Sequence, residues 1–247
     1  MADPRLLIDA DGILFRSVAA AEYEGDWGNG VIVASTNLDQ AIAMFQSQVE
    51  SLERELGGGE KVFVISGSGN FRKLLDPTYK AHRTSRKPLG YAKLVSWLHE
   101  TYGDKVVSHE LLEADDYLGI LATRPSAPDS IIVSDDKDLM TIPCKLYRLG
   151  RLSTIDEPSA NRYWLSQTLT GDTADGYKGC PSVGAVKAEK VLQKAGEQWE
   201  NVKREFLKAG MTEEYAVLQA RLARILRWED WDAVNKKPIL WTPTSAN

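Results

Sequence analysis

Apolar positions along the chain keep two different rhythms. Up to about residue 157 they gather in short β-branched runs, Arg5-Leu-Leu-Ile8, Lys61-Val-Phe-Val-Ile-Ser66 and Ser130-Ile-Ile-Val-Ser134, each of strand length. Leu38, Ile42, Phe45, Val49, Leu52 and Leu56 recur at intervals of three and four, which predicts a helix with one buried face. Gly57-Gly-Gly59 stops it. A second helix is expected over Tyr91 to Tyr102, and a third from near Ala114 to just before Pro125. Strands alternating with helices imply an α/β fold, a mainly parallel central sheet with helices on both faces. Sites in such sheets form beyond the carboxyl ends of the strands.

After residue 157 the rhythm is helical throughout. Ser159 to Leu169, Val183 to Ala195, Asn201 to Lys208 and Thr212 to Arg227 read as helices separated by Gly- or Pro-containing turns. Thr212 is a candidate N-cap with Glu213 and Glu214 in the favourable first turn. Leu218, Leu222 and Ile225 would form that helix's buried stripe, with Arg221, Arg224 and Arg227 on the other side. The tail from Lys236 is expected to be irregular. The expected organisation is an α/β domain over 1–157 followed by a helical region over 158–247.

Composition adds limits. The 43% hydrophobic content of the 247 residues is that of an ordinary globular protein, and no apolar run approaches the roughly 20 residues of a bilayer span. Met-Ala-Asp-Pro-Arg at the N-terminus lacks the basic and apolar regions of a secretion signal. Cys144 and Cys180 give neither a disulfide framework nor zinc-ligand spacing, which suits a reducing cytoplasm. A net charge of −5 argues mildly against a nucleic-acid partner. Clustered carboxylates neutralised by metal would weaken that objection, so local charge is the better guide.

Those carboxylates stand in four groups: Asp9 with Asp11, Glu113-Ala-Asp115-Asp116, Asp135-Asp136-Lys137-Asp138, and Asp172-Thr-Ala-Asp175. Each has a plain alternative. An acidic run complements a helix dipole at its start, and Asp commonly caps turns. Their joint occurrence points elsewhere, because converging carboxylates repel unless a cation neutralises them. Mg²⁺ takes oxygen ligands of this kind, and two ions about 4 Å apart form a device for phosphodiester hydrolysis.

Between Arg72 and Lys93 seven basic residues face the single acid Asp76, with Phe71, Tyr79 and Tyr91 interleaved. Basic side chains neutralise phosphates and aromatic faces stack on bases; a solvated basic face is the alternative. Gly179-Cys-Pro-Ser-Val-Gly184 before Lys187 and Lys190 would let helix N-terminal amides approach a DNA phosphate, or would simply connect two helices. His82, His99 and His109 share no metal-ligand spacing, and no serine or cysteine stands in a nucleophile-elbow context.

In this order the segments resemble the 5′-nuclease (flap endonuclease-like) superfamily, above all the small 5′→3′ exonucleases of tailed bacteriophages, over nearly the whole chain. The likeness rests on Leu6-Leu-Ile-Asp9 with Phe15-Arg16, Phe71-Arg-Lys with Tyr79-Lys-Ala-His-Arg83, Leu112-Glu-Ala-Asp-Asp116, Ser134-Asp-Asp-Lys-Asp138, Gly171-Asp-Thr-Ala-Asp-Gly-Tyr-Lys-Gly179 and Pro181-Ser-Val-Gly184. It implies a PIN-like sheet domain with a basic arch over about 71–93, and a helix–three-turn–helix over about 171–195. Asp9, Glu113, Asp115 and Asp116 would serve one Mg²⁺ or Mn²⁺; Asp136, Asp138, Asp172 and Asp175 would lie at or near a second. Arg72, Lys80 and Arg83 would act on the scissile phosphate. Lys73, Tyr79, Arg86 and Lys87 would contact DNA, and Gly179, Pro181, Ser182, Val183, Gly184, Lys187 and Lys190 would hold the duplex, with K⁺ as a possible monovalent ion. The expected activity is 5′→3′ exonuclease or flap endonuclease action on DNA with 5′ ends, flaps or duplex–single-strand junctions, by a monomer with no membrane, in the cytoplasm of the host if phage-encoded. One departure matters: the family's aspartate before the Phe/Trp-Arg pair is replaced by Gly67. The alternatives are a catalytically weakened, structure-specific DNA-binding protein that lacks this ligand, and a ribonuclease of the related single-domain type.

Overall fold

The first strand, β1 (Arg5–Asp9), is the centre of the sheet because its apolar residues are covered on both faces. The computed structural model describes residues 3–26, 28–125 and 127–243. Met1 and Ala2 of the N-terminal start, and the last four residues of the expected irregular tail, lie outside them.

Chain order continues with α1 (Ala10–Ala21), a hairpin of β2 (Glu22–Asp26) and β3 (Ile32–Thr36), α2 (Leu38–Leu56), β4 (Lys61–Val64), the single turn α3 (Arg72–Leu75), α4 (Tyr91–Tyr102), β5 (Val106–Val107), α5 (Ala114–Thr123), β6 (Ser130–Val133), β7 (Lys145–Arg148) and β8 (Arg151–Thr154). The main sheet has the order β5-β4-β1-β6-β7-β8. Its first five strands are parallel neighbours and β8 returns antiparallel. Asp9 pairs with Val64 and Ile8 with Val133, so these strands end at one edge. α1, α2 and α4 pack on one face around Phe45, Phe63 and Leu94. On the other face α5 packs on Leu7, Val62, Val64 and Ile132.

The remainder comprises α6 (Glu157–Thr170), α7 (Ala185–Leu192), α8 (Gln198–Lys208), α9 (Glu213–Ala223) and a short pair, β9 (Trp231–Asp232) with β10 (Lys237–Pro238). The helices enclose their own core of Trp164, Leu169, Val202 and Phe206, into which Tyr79 also inserts. Thr212 caps α9 by accepting from the Tyr215 amide.

Three expectations need correction. β9 and β10 mean that the second region is not all-helical; two-residue strands leave no periodic trace. The α7 helix is shorter than Val183 to Ala195, and α9 ends at Ala223 rather than Arg227. Beyond Ala223 the chain extends because tertiary bonds outweigh helical ones: Leu226 N–H donates to Asp116, and the Arg224 carbonyl accepts from Arg72. Arg224 and Arg227 are therefore buried rather than outward. Arg224 pairs with Asp230, and Arg227 donates to the Thr141 carbonyl. Ile225 and Leu226 complete cores of the sheet region.

Candidate active site

Parallel pairing delivers the acidic groups to one place. Asp9 closes β1, and Ser134, Asp135 and Asp136 follow β6 beside it. The Ser134 hydroxyl donates to Asp9 Oδ2 (2.7 Å) and accepts from the Asp136 amide (3.1 Å), which fixes the two chain ends together. Asp136 Oδ1 accepts from the Asp138 amide (2.8 Å), turning the chain into a 3₁₀ turn. Opposite, α5 begins with Glu113 as its N-cap and Asp115 in its first turn. The turn after α6 adds Asp172, whose Oδ1 accepts from the Ala174 and Asp175 amides. Asp9, Glu113, Asp115, Asp136, Asp138, Asp172 and Asp175 all line one cavity of about 290 Å³, with Arg72, Lys80 and Arg83.

The cavity is electrostatically uneven. Burial, with Asp11 and Asp136 nearby, pushes the Asp9 carboxyl up to about 6 against the lowering bond from Ser134. Burial also raises Asp115, reinforced by Asp9, Asp136 and Glu113. Among the described residues neither these two nor Asp136 makes an ion pair. Elsewhere lysines compensate. Burial would raise Glu113, but Lys80 and Arg72 hold it below the usual carboxylate range; Lys80 Nζ lies 2.6 Å from Glu113 and 3.4 Å from Asp175. Likewise burial opposes, and the Lys137 bond outweighs, so Asp172 stays low. Lys80 occupies a left-handed backbone conformation (φ 53°), which costs roughly 1–2 kcal/mol and is held by its N–H bond to the Asp175 carbonyl.

Among the described residues no three acidic, His or Cys side chains are drawn into a ready-made ligand cage. Glu113, Asp138, Asp172 and Asp175 are instead held toward Lys80, Arg83, Lys137 and Gln167. The donor set nonetheless fits a hard divalent ion, being all oxygen and in part lacking any counter-charge.

Several expected roles fail on burial. Asp116 is fully buried, and its two oxygens accept from Arg72 Nη1 and Nη2, each at 2.7 Å. Arg72 is buried too and donates further to the Leu222 and Arg224 carbonyls. The pair is a strut between α3, α5 and the C-terminal segment; Asp116 is no free ligand and Arg72 no phosphate contact. Tyr79 is also buried, its hydroxyl bonded to Asp175 (2.7 Å), and offers no face to a base. Gly179 and Val183 are buried. A Cβ at Gly179 would fall 2.3 Å from the Gly171 amide nitrogen, so this glycine permits a backbone crossing. Pro181, Ser182, Gly184, Lys187 and Lys190 remain exposed around the α7 N-terminus. Lys73, Arg83, Arg86 and Lys87 are exposed, although Arg83 pairs with Asp175, Arg86 pairs with Glu22, and Lys87 lies over the Tyr91 ring.

Among the cavity residues outside the expected site are Asp11, Lys137 and Gln167. Asp11 is held by the Ser66 amide and the Tyr91 hydroxyl, each at 2.8 Å. Its place in the first acidic group was the available signal. Lys137 was visible inside its acidic run, and Gln167, which donates to Asp138 (2.6 Å), left none. At Gly67 the backbone of His109 passes so close that a Cβ would fall 1.9 Å from its carbonyl oxygen. Position 67 is thus occupied by packing, and Asp11 supplies a carboxylate beside the adjacent Ser66.

Known proteins are similar along the same lines. The family model of the 5′-3′ exonuclease N-terminal, resolvase-like domain matches residues 4–159. An exodeoxyribonuclease of Enterobacteria phage T3 is 31% identical over 281 aligned positions, covering 97% of this chain and 93% of its own. An exonuclease of Escherichia phage T7 is 31% identical with 96% and 93% covered. In fold, a bacteriophage T5 flap endonuclease solved with DNA and metal ions superposes with a TM-score of 0.63 at 13% identity, covering 89% of this chain and 88% of that one.

Proposed function

Because the chain belongs to the 5′-3′ exonuclease family, we propose that its acidic cavity hydrolyses DNA phosphodiesters at or near 5′ ends with divalent cations. The chain is a nuclease of the 5′→3′ exonuclease family, and flap cleavage would be a second use of the same cavity. What supports this assignment of the site is the convergence of Asp115, in the first turn of α5, with Asp9 and Asp136 at the carboxyl ends of parallel strands, none of the three making an ion pair among the described residues.

Asp9, Asp115, Asp136 and Glu113 would hold one ion, with Asp11 at its rim; Asp138, Asp172 and Asp175 would hold or lie near a second. Mg²⁺ and Mn²⁺ suit such oxygen donors. Bound there, the ions supply neutralisation of the phosphate and a water acidified for in-line attack. Lys80, paired with Glu113 and Asp175, and Arg83, paired with Asp175, would gain a further partner when a phosphate enters and stabilise its growing negative charge. The Arg72–Asp116 strut keeps α5, and so Glu113 and Asp115, in place. Outside the cavity, the exposed Pro181, Ser182 and Gly184 of the turn before α7, with Lys187 and Lys190, would grip a duplex backbone through amides and charge, with a K⁺ ion at that turn. Exposed Lys73, Arg86 and Lys87 would line the entering strand. The protein would act as a monomer.

Cleavage of 5′-labelled duplex, flap and single-stranded DNA in Mg²⁺, Mn²⁺ or chelator tests the proposal. Asp136→Ala should lose roughly 100-fold or more of the cleavage rate and still bind DNA. Undiminished cleavage by that variant would overturn the site.

A further inference from the structure

The two halves of the acidic cavity are neutralised differently. Among the described residues Asp9, Asp115 and Asp136 make no ion pair; the Ser134 hydroxyl donates to Asp9 and accepts from the Asp136 amide, and Asp136 accepts from the Asp138 amide. In the other half an ammonium group already sits between two carboxylates: Lys137 Nζ is 2.8 Å from Asp172 Oδ2 and 3.4 Å from Asp138 Oδ1. These carboxylates have further donors beside the lysine. Asp138 Oδ1 accepts from Gln167, and Asp172 Oδ1 accepts from two amides of its own turn. Both carboxylates are largely enclosed, whereas the lysine is about half exposed (53%) and approaches from the solvent side.

We propose that Lys137 is a resident counter-ion of the second half of the cavity, so that the DNA-free protein takes up one divalent ion readily and a second only when Lys137 leaves. A dication and an ammonium cannot share the Asp138–Asp172 gap, because at these distances like charges repel strongly. Binding there is therefore an exchange, and its affinity is lowered by whatever the lysine pair contributes. Lys137 lies next in the chain to Asp136 and lines the same cavity. An entering phosphate gives the displaced ammonium a new partner, so DNA would draw in the second ion. Lys137 is thereby a positioning residue that ties metal loading to the presence of substrate.

The inference rests on the nuclease reading above, and DNA-free ion binding separates the two. Mn²⁺ titration of the full chain, followed by paramagnetic resonance of free Mn²⁺, should give one tight ion and a second at least about tenfold weaker. In Lys137→Met, and in Lys137→Gln as a second variant of different polarity, the second constant should tighten about tenfold while the first is unchanged. Two equally tight ions in the unaltered protein, or a second constant that does not respond to either variant, would overturn the inference and leave the nuclease reading standing. Absence of any bound Mn²⁺ would overturn both. Acetylation of Lys137, read by mass spectrometry in the unaltered protein, needs no variant. Labelling should rise across the Mn²⁺ range that fills the second site, and constant labelling across that range contradicts the exchange.

Discussion

A side chain at position 67 has nowhere to go, since its Cβ would fall 1.9 Å from the His109 carbonyl oxygen and 2.7 Å from the carbonyl carbon. Gly67→Asp is therefore expected to lower stability, by about 1–3 kcal/mol as overpacking does, and to give no gain in cleavage; urea unfolding and a nuclease assay check both. Asp116→Ala strands the buried Arg72 guanidinium and should cost about 3–5 kcal/mol, read by the same unfolding curves. Asp115→Asn should behave in the opposite sense. It removes one of several mutually repelling carboxylates, so the melting temperature in chelator should rise while metal-dependent cleavage collapses, the expected trade between stability and function. At this scale the sequence carried the acidic groups, because four clusters in order are rarely accidental. It hid which carboxylate is structural. Asp115 and Asp116 are adjacent in the chain, yet only the second meets Arg72, 44 positions away, and no local pattern records such a partner.

Elements were legible where burial imposed a period. β1, β4 and β6 and the helices α2, α4 and α5 have apolar spacing that follows one or both buried faces. The β2–β3 hairpin was not, because Glu22-Tyr-Glu-Gly-Asp26 is largely charged and Tyr23, Ile32 and Val33 stay exposed. The periodic Leu218, Leu222, Ile225 pattern ran past the true end of α9 since Ile225 is buried for a different reason, against the sheet. The α9 start was readable from Thr212, whose hydroxyl accepts from Tyr215 N–H at 3.2 Å. Thr212→Ala should cost about 1 kcal/mol, measured by thermal melting, without changing the DNA-cleavage rate at 25 °C.

The whole molecule is more interlocked than a sheet domain with an appendage. Leu222 and Arg224 supply carbonyls to Arg72, Leu226 N–H reaches Asp116, and Trp228 N–H bonds Thr123 Oγ1. A chain ending at residue 156 loses all of these and the Asp172–Asp175 turn. It is expected to be protease-sensitive and without cooperative unfolding, whereas a separable domain would melt cooperatively on its own. The same interlocking explains why the cavity draws on both regions, and why its use as a metal-assisted phosphodiesterase site is the claim on which the rest depends. The most direct test follows one flap substrate labelled in turn at the 5′ and 3′ end, with the unaltered protein and Asp115→Asn, in Mg²⁺ and in chelator. Metal-dependent release from the 5′ side by the unaltered protein, with cleavage abolished but DNA binding kept in the variant, is the predicted result. Cleavage that persists in chelator or in Asp115→Asn would contradict the account.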